Sequence, residues 1–154
     1  MNSNKILSTN DAITEHLKAR FPDLPLTFPP ACFITMGGEF LHFDPEAKRL
    51  RVRFPVKPEF ANPMGYMQGG LIVGAIDNTI GPLTFLVAPP SVTTQLTTTY
   101  IRPITPDLSH FEVEAVITEQ TRRLVFIDAV VYAGDKQLAQ ARASSMVRER
   151  PIEA

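Results

Sequence analysis

The sequence has little of what disulfide frameworks, metal centres and membrane spans require. Its 154 residues include one cysteine, Cys32, which excludes an intramolecular disulfide and a cysteine-rich metal site. The three histidines, His16, His42 and His110, are scattered, and this spacing predicts no zinc centre. No unbroken apolar run approaches the ~20 residues that span a bilayer. We therefore predict a chain with no metal, no cofactor and no membrane segment.

An excess of charge of one sign is also missing. The formal net charge is −1, from 15 basic and 16 acidic residues, so no bulk electrostatic attraction to nucleic acid or anionic lipid is expected. Residues 1–16 contain no apolar stretch of the length a signal peptide needs. These features predict a cytoplasmic protein that binds neither nucleic acid nor membrane.

The apolar content is high enough for a packed core, because 44% of the residues are hydrophobic and 20% are charged. Residues 9–21 are typical of an amphipathic helix, in which apolar side chains recur every four positions after a run of possible N-cap residues. The N-cap candidates are Ser8, Thr9 and Asn10, and the apolar positions are Ile13, Leu17 and Phe21. Closely spaced prolines follow, so we assign residues 1–30 to an N-terminal helix with a proline-rich connector.

Residues 31–150 form the main domain of this prediction. Strands are expected from Cys32 to Phe54, with a bulge or bend at Gly37-Gly38. Residues 70–81 predict a helix that is apolar nearly all round and continues, with a kink, past Pro82 towards Val87. Four further strands are expected near residues 92–102, 110–119, 124–133 and 137–149. We predict an α+β fold in which an antiparallel sheet of about six strands wraps this long central helix, with a sheet edge that pairs with a second copy.

A carboxylate interrupts the apolar helix at Asp77. At ~100° per residue, Gly70, Gly74 and Gly81 share its arc of the helix surface. Burial is expected there, and an unpaired buried ion costs several kcal/mol, so a functional role is one interpretation. The other is that Asp77 pairs with a neighbour and the glycines only permit close packing.

Two glycines, Gly69 and Gly70, begin the helix, and their N–H groups would point outward at the positive end of its dipole, as in an oxyanion hole. Gly69 and Asp77 are eight residues apart, or ~12 Å along a helix. One carbonyl cannot contact both groups of the same helix. If both act in one reaction, the carboxylate comes from a second subunit, and two antiparallel helices across a twofold axis would form two composite sites.

The segment from Asn62 to Gly70, followed by Asp77, resembles the active-site region of hotdog-fold acyl-CoA thioesterases of the phenylacetate-pathway (PaaI-like) branch. Residues 91–103 and 137–143 resemble the strand after the helix and the closing strand of that family. The similarity extends from residue 32 to residue 149. It implies the hotdog fold, a homodimer or a dimer of dimers, and hydrolysis of acyl-CoA to free acid and CoA.

The resemblance also implies roles for individual residues. The amide of Gly69, helped by Gly70, matches the oxyanion donor, and Asp77 of the partner matches the carboxylate that activates water or attacks directly. Asn62 matches a side chain that orients the nucleophile or the carbonyl. Gln68 stands where the family often has histidine. Because glutamine does not titrate, acid–base chemistry is left to Asp77 and the role of Gln68 is open.

Two further positions complete the predicted site. Thr93 matches a hydroxyl-bearing position that helps to place the water, although strand alternation does not separate it from Thr94. Arg122 and Arg123, in an expected turn, are candidates for binding the phosphates of CoA.

Two other functions compete with thioester hydrolysis. A hydratase or dehydratase acting on acyl thioesters would need a paired acid and base, commonly including histidine, and no histidine lies near Asp77 in the motif. A non-catalytic acyl-CoA-binding or regulatory hotdog module is the second alternative. A carboxylate beside an acyl thioester serves chemistry better than affinity, which favours the hydrolase.

Overall fold

Six strands form one antiparallel sheet around a 19-residue helix in the computed structural model, which describes residues 5–148. The helices are α1 (Asn10–Arg20), α2 (Ala31–Met36) and α3 (Gly69–Val87). The strands are β1 (Glu39–Asp44), β2 (Arg49–Pro55), β3 (Ser91–Tyr100), β4 (His110–Gln120), β5 (Leu124–Ala133) and β6 (Lys136–Val147). Their order in the sheet is β1-β2-β4-β5-β6-β3. The predicted α+β architecture is confirmed, and Glu149, the predicted end of the last strand, lies outside the described residues.

The two faces of the sheet follow from alternation along each strand. In β2, Leu50, Val52 and Phe54 are fully buried, whereas the arginines between them point to the outer face. The inward side chains of β4 and β5 alternate in the same way and pack against α3. The core therefore lies between the concave face of the sheet and the helix.

Helix α3 begins at Gly69, one residue before the predicted start, and continues through Pro82 to Val87, as expected. By length and composition alone it would also fit a membrane span. Its buried residues instead face the sheet, so α3 is the core helix of a globular domain. These residues are Ile72, Ala75, Ile76, Thr79, Ile80, Pro82, Leu83, Thr84 and Leu86.

The prediction of strands from Cys32 onward is wrong for residues 31–36, which form helix α2. Phe33 and Met36 are buried three positions apart, a spacing that fits one helical face and breaks strand alternation. Gly37 is not part of a strand bend either. It ends α2 in the left-handed conformation, with φ of +76°, and its N–H bonds back to the helix.

The N-terminal segment covers one edge of the sheet. Leu7 and Phe43 of β1 exchange backbone hydrogen bonds of 3.0 and 2.8 Å. The hydroxyl of Thr9 caps α1 by accepting from the N–H of Ala12, and Ile13 lies fully buried in the core. At the opposite edge, β3 has no strand on its outer side within residues 5–148.

Candidate active site

Asp77 forms a pair with a hydroxyl from the neighbouring edge strand. The Thr93 Oγ1 donates a 2.8 Å hydrogen bond to Asp77 Oδ1. The expectation that Asp77 is buried is wrong for the single chain, in which its side chain is exposed. The glycines on its side of α3 lack side chains that would cover it, and no other element of the described chain fills the space beside Gly70 and Gly81.

A β-bulge decides which threonine meets Asp77. In the ladder between β3 and β6, Thr93 pairs with Ser145 and Gln95 pairs with Ser144, so Thr94 is the extra residue. Thr94 turns away from Asp77 and donates to the carbonyl of Ser144 at 3.0 Å. The bulge shifts the alternation by one, which places Thr93 on the helix side of the strand.

The first turn of α3 presents two free amides. The N–H groups of Leu71 and Ile72 both donate to the carbonyl of Gln68, at 2.9 and 3.2 Å. The N–H groups of Gly69 and Gly70 have no acceptor within residues 5–148, as expected for the first residues of a helix. The exposed Gln68 side chain does not cap the helix. This end of α3 can accept a negatively charged oxygen.

Asn62 organises the loop that enters α3. Its Oδ1 accepts hydrogen bonds from the N–H groups of Met64 and Tyr66, at 2.9 and 3.1 Å. Residues outside the loop also hold it in place. The N–H of Met67 donates to the carbonyl of Ile104, and the N–H of Gln68 donates to the carbonyl of Phe60. With Oδ1 engaged in the loop, the Nδ2 group of Asn62 is the part of this side chain available to a ligand.

Sequence reasoning missed one residue of the site, Tyr100. Its hydroxyl donates a 2.9 Å hydrogen bond to the carbonyl of Gly69. The signal is faint in the sequence: after the bulge, alternate residues of β3 face the helix, and Tyr100 is the last of them. Only the register of the strand shows that this tyrosine reaches the start of α3.

The structure keeps the two halves of the predicted site apart in one chain. Asp77 is held by Thr93 near the start of β3, whereas Gly69 is contacted by Tyr100 at the end of the same strand. The eight helical positions between Gly69 and Asp77 span ~12 Å. A single reacting carbonyl cannot reach the carboxylate and the amides of the same copy.

Arg122 and Arg123 lie in the turn between β4 and β5, at the end of the sheet that also carries Thr93. The carbonyl of Arg123 accepts from the N–H of Val147, in the strand paired with β3. The arginines of β2 form ion pairs with Glu112 and Glu114 on the outer face of the sheet. These pairs are Arg53–Glu112, Arg51–Glu112, Arg51–Glu114 and Arg49–Glu114, with N···O distances from 2.8 to 4.0 Å.

The sequence pattern of the thioesterase superfamily matches residues 64–140, which are half of the chain and include α3 and strands β3 to β5. The chain belongs to the thioesterase superfamily. No curated protein matches the sequence.

Solved structures share the fold over most of the chain. The PaaI protein of the E. coli phenylacetic acid degradation operon has a TM-score of 0.75 at 16% identity, covering 94% of this chain and 99% of its own. Thioesterase superfamily member 2 of Mus musculus has a TM-score of 0.71 at 18% identity, covering 90% and 97%. A Streptococcus mutans protein bound to acetyl-CoA has a TM-score of 0.63 at 19% identity, covering 68% and 84%. These likenesses confirm the hotdog fold and the resemblance to PaaI-like thioesterases that the sequence indicates.

Proposed function

We propose that this protein hydrolyses acyl-CoA thioesters to the free acid and CoA in a homodimer whose active sites are shared between subunits. One protomer supplies the carboxylate of Asp77, and its partner supplies the amides of Gly69 and Gly70. The observation that carries the proposal is that one helix, α3, presents two functional groups. Its Asp77 is exposed and bonded to Thr93, and its N-terminus presents the two free amides of Gly69 and Gly70. Membership of the thioesterase superfamily supports hydrolysis, and the fold shared with an acetyl-CoA-bound protein supports a CoA thioester as substrate.

The proposed dimer uses two surfaces that the single chain leaves uncovered, the outer edge of β3 and the glycine side of α3. The outer edge of β3 is available for pairing, whereas the edge at β1 is covered by the N-terminal segment. Added Cβ atoms at Gly70 and Gly81 would meet no atom within 4 Å, so a second helix has room on this side of α3. A twofold axis crossing α3 near Gly74 brings Gly69 of one copy opposite Asp77 of the other.

The chemistry requires little beyond these groups. Asp77 removes a proton from water as the water oxygen attacks the thioester carbon, or attacks that carbon itself to form an anhydride that water then cleaves. In both routes, the carbonyl oxygen becomes negatively charged and accepts from the amides of Gly69 and Gly70. Collapse of the tetrahedral intermediate breaks the C–S bond and releases CoA as the thiolate, which takes up a proton. A single turnover in ¹⁸O-labelled water identifies direct attack followed by cleavage of the anhydride at the Asp77 carbonyl, because ¹⁸O then enters Asp77, whereas the general-base route places ¹⁸O only in the acid product.

The remaining predicted residues have supporting roles in this proposal. The free Nδ2 of Asn62, in the loop that enters α3, and the exposed amide of Gln68, directly before the oxyanion donors, orient the thioester. Arg122 and Arg123, at the end of the sheet near Thr93, bind the phosphates of CoA. The proposed location is the cytoplasm, where acyl-CoA substrates are found and where an exposed, unpaired Cys32 stays reduced.

Subunit complementation tests the shared site directly. Asp77→Asn removes the carboxylate, and Gly69→Pro removes the amide proton at the first helical position, where proline is well tolerated. Each variant alone should be nearly inactive towards a panel of acyl-CoAs when free thiol is measured. Co-expressed in equal amounts, they should recover about a quarter of the wild-type turnover, because half of the dimers then contain one intact site.

The outcomes separate the competing functions. No recovery in mixed dimers that are shown to form would contradict the shared site. Tight acyl-CoA binding without thiol release by the wild type would favour a binding module, and formation of a hydrated acyl-CoA would favour a hydratase.

A further inference from the structure

We propose that Tyr100 is a positioning residue of the oxyanion hole, an inference that rests on the proposed function. Its hydroxyl donates to the carbonyl of Gly69 at 2.9 Å. The carbonyl of Gly69 and the N–H of Gly70 belong to one planar peptide group. A hydrogen bond to the oxygen of that group therefore holds the direction in which the N–H of Gly70 points.

The same contact strengthens the Gly70 amide as a donor. Hydrogen bonds in a chain polarise one another, so donation to a peptide oxygen makes the N–H of that peptide more positive. Negative charge developing on a thioester oxygen then meets a stronger donor than an unassisted helix terminus would supply. Tyr100 acts through the peptide and does not need to touch the substrate.

Packing around the two glycines gives the peptide one closed side and one open side. A Cβ at Gly69 would lie 3.0 Å from the Tyr100 hydroxyl oxygen and 3.1 Å from the ring carbon that bears it. A Cβ at Gly70 would meet nothing within 4 Å. Tyr100 thus limits the movement of the peptide from the Gly69 side, while a ligand can approach Gly70.

The tyrosine itself is held by a rigid strand end. Its backbone pairs with Ala139 in β6, and the next two N–H groups, of Ile101 and Arg102, both donate to the carbonyl of Leu138. The Arg102 side chain adds a 2.7 Å hydrogen bond to the carbonyl of Gln137. Because these contacts hold the end of β3 in place, Tyr100 can impose its position on the first turn of α3.

The test compares Tyr100→Phe with Tyr132→Phe, which removes a hydroxyl from the outer face of the sheet beside Arg51. We expect Tyr100→Phe to lower kcat for acyl-CoA hydrolysis by about three- to tenfold, the effect of one ordinary hydrogen bond, with KM nearly unchanged. The Gly70 amide proton resonance should move upfield in Tyr100→Phe, because the peptide loses polarisation. Tyr132→Phe should change neither kcat nor the Gly70 amide proton resonance.

This experiment distinguishes a failure of the inference about Tyr100 from a failure of the proposed function. An active wild type whose kcat and Gly70 resonance are both unaffected by Tyr100→Phe would overturn this inference alone. A change in KM without a change in kcat would also overturn it, since that indicates a binding role. A wild type that hydrolyses no acyl-CoA would overturn the proposed function, and the role of Tyr100 with it. A well-folded Tyr100→Phe can be verified by its unchanged thermal transition.

Discussion

Thr93 reaches from the edge strand β3 to the central helix α3 and donates a 2.8 Å hydrogen bond to Asp77. The contact joins the only acidic side chain of α3 to a hydroxyl whose position depends on a bulge one residue later. It fixes the carboxylate on a face of the helix that the single chain leaves uncovered. The proposed chemistry depends on this pair.

Replacing either threonine at the bulge should separate their roles. Thr93→Val removes the donor to Asp77, and we expect kcat to fall about tenfold, because a hydrogen bond to a charged group is lost. Thr94→Val removes the hydrogen bonds to the carbonyl and the hydroxyl of Ser144 and should leave kcat near the wild-type value. Steady-state release of free thiol measures both. Equal losses in the two variants would contradict the assignment of Thr93.

Removing the charge at Asp77 should abolish turnover. Asp77→Asn keeps the size of the side chain but supplies no base or nucleophile, so we expect kcat to fall by at least about a hundredfold. Asp128→Asn is the matched control, since Asp128 pairs with Arg142 on the outer face of the sheet. Activity that survives Asp77→Asn would show that another group performs the chemistry.

The amide of Gly69 can be tested with two variants that both add a Cβ at this position. Gly69→Ala and Gly69→Pro place the same Cβ against Tyr100, but only proline removes the N–H. We expect proline to cost about 10²–10³ more in kcat than alanine, the effect of one oxyanion-hole donor. If the two variants have equal activity in the thiol assay, the Gly69 amide is not a donor.

A structural prediction concerns Gly38, which lies against the buried ring of Phe33. A Cβ at Gly38 would lie 2.6 Å from the ring, so Gly38→Ala should lower the free energy of unfolding by about 1–3 kcal/mol through overpacking. Thr35→Ala, at an exposed position of the same helix α2, serves as the control and should change this free energy little. Urea denaturation provides the comparison, and an unchanged midpoint for Gly38→Ala would contradict the packing described for α2.

The pH dependence of stability should include a contribution from His16. Burial, and then the nearby charge of Arg20, lower the pKa of His16 in the folded protein. The unfolded chain therefore binds a proton at higher pH than the native chain, and the free energy of unfolding falls as pH decreases between about 7 and 5. His16→Gln should reduce this fall. Urea midpoints at pH 5 and 7.5 test the difference.

Periodicity predicted the large elements because their burial is regular. The alternation of Leu50, Val52 and Phe54 matches one buried face of β2, and the apolar run after Gly70 matches a helix enclosed by the sheet. Helix α2 was not predicted, because six residues are too short for a periodic signal and its one sequence marker, Gly37, is equally compatible with a bend.

The candidate site also has features that the sequence predicts and features that it does not. The order of residues along the chain is enough to place Gly69 and Asp77 eight positions apart on one helix and thus too far apart for one carbonyl, since the rise of a helix is constant. Tertiary structure alone decided that Thr93 and not Thr94 meets Asp77, that Tyr100 reaches Gly69, and that Asp77 is exposed. These contacts depend on strand register and on which element covers which face. Both arise from long-range packing, which local patterns of residues do not encode.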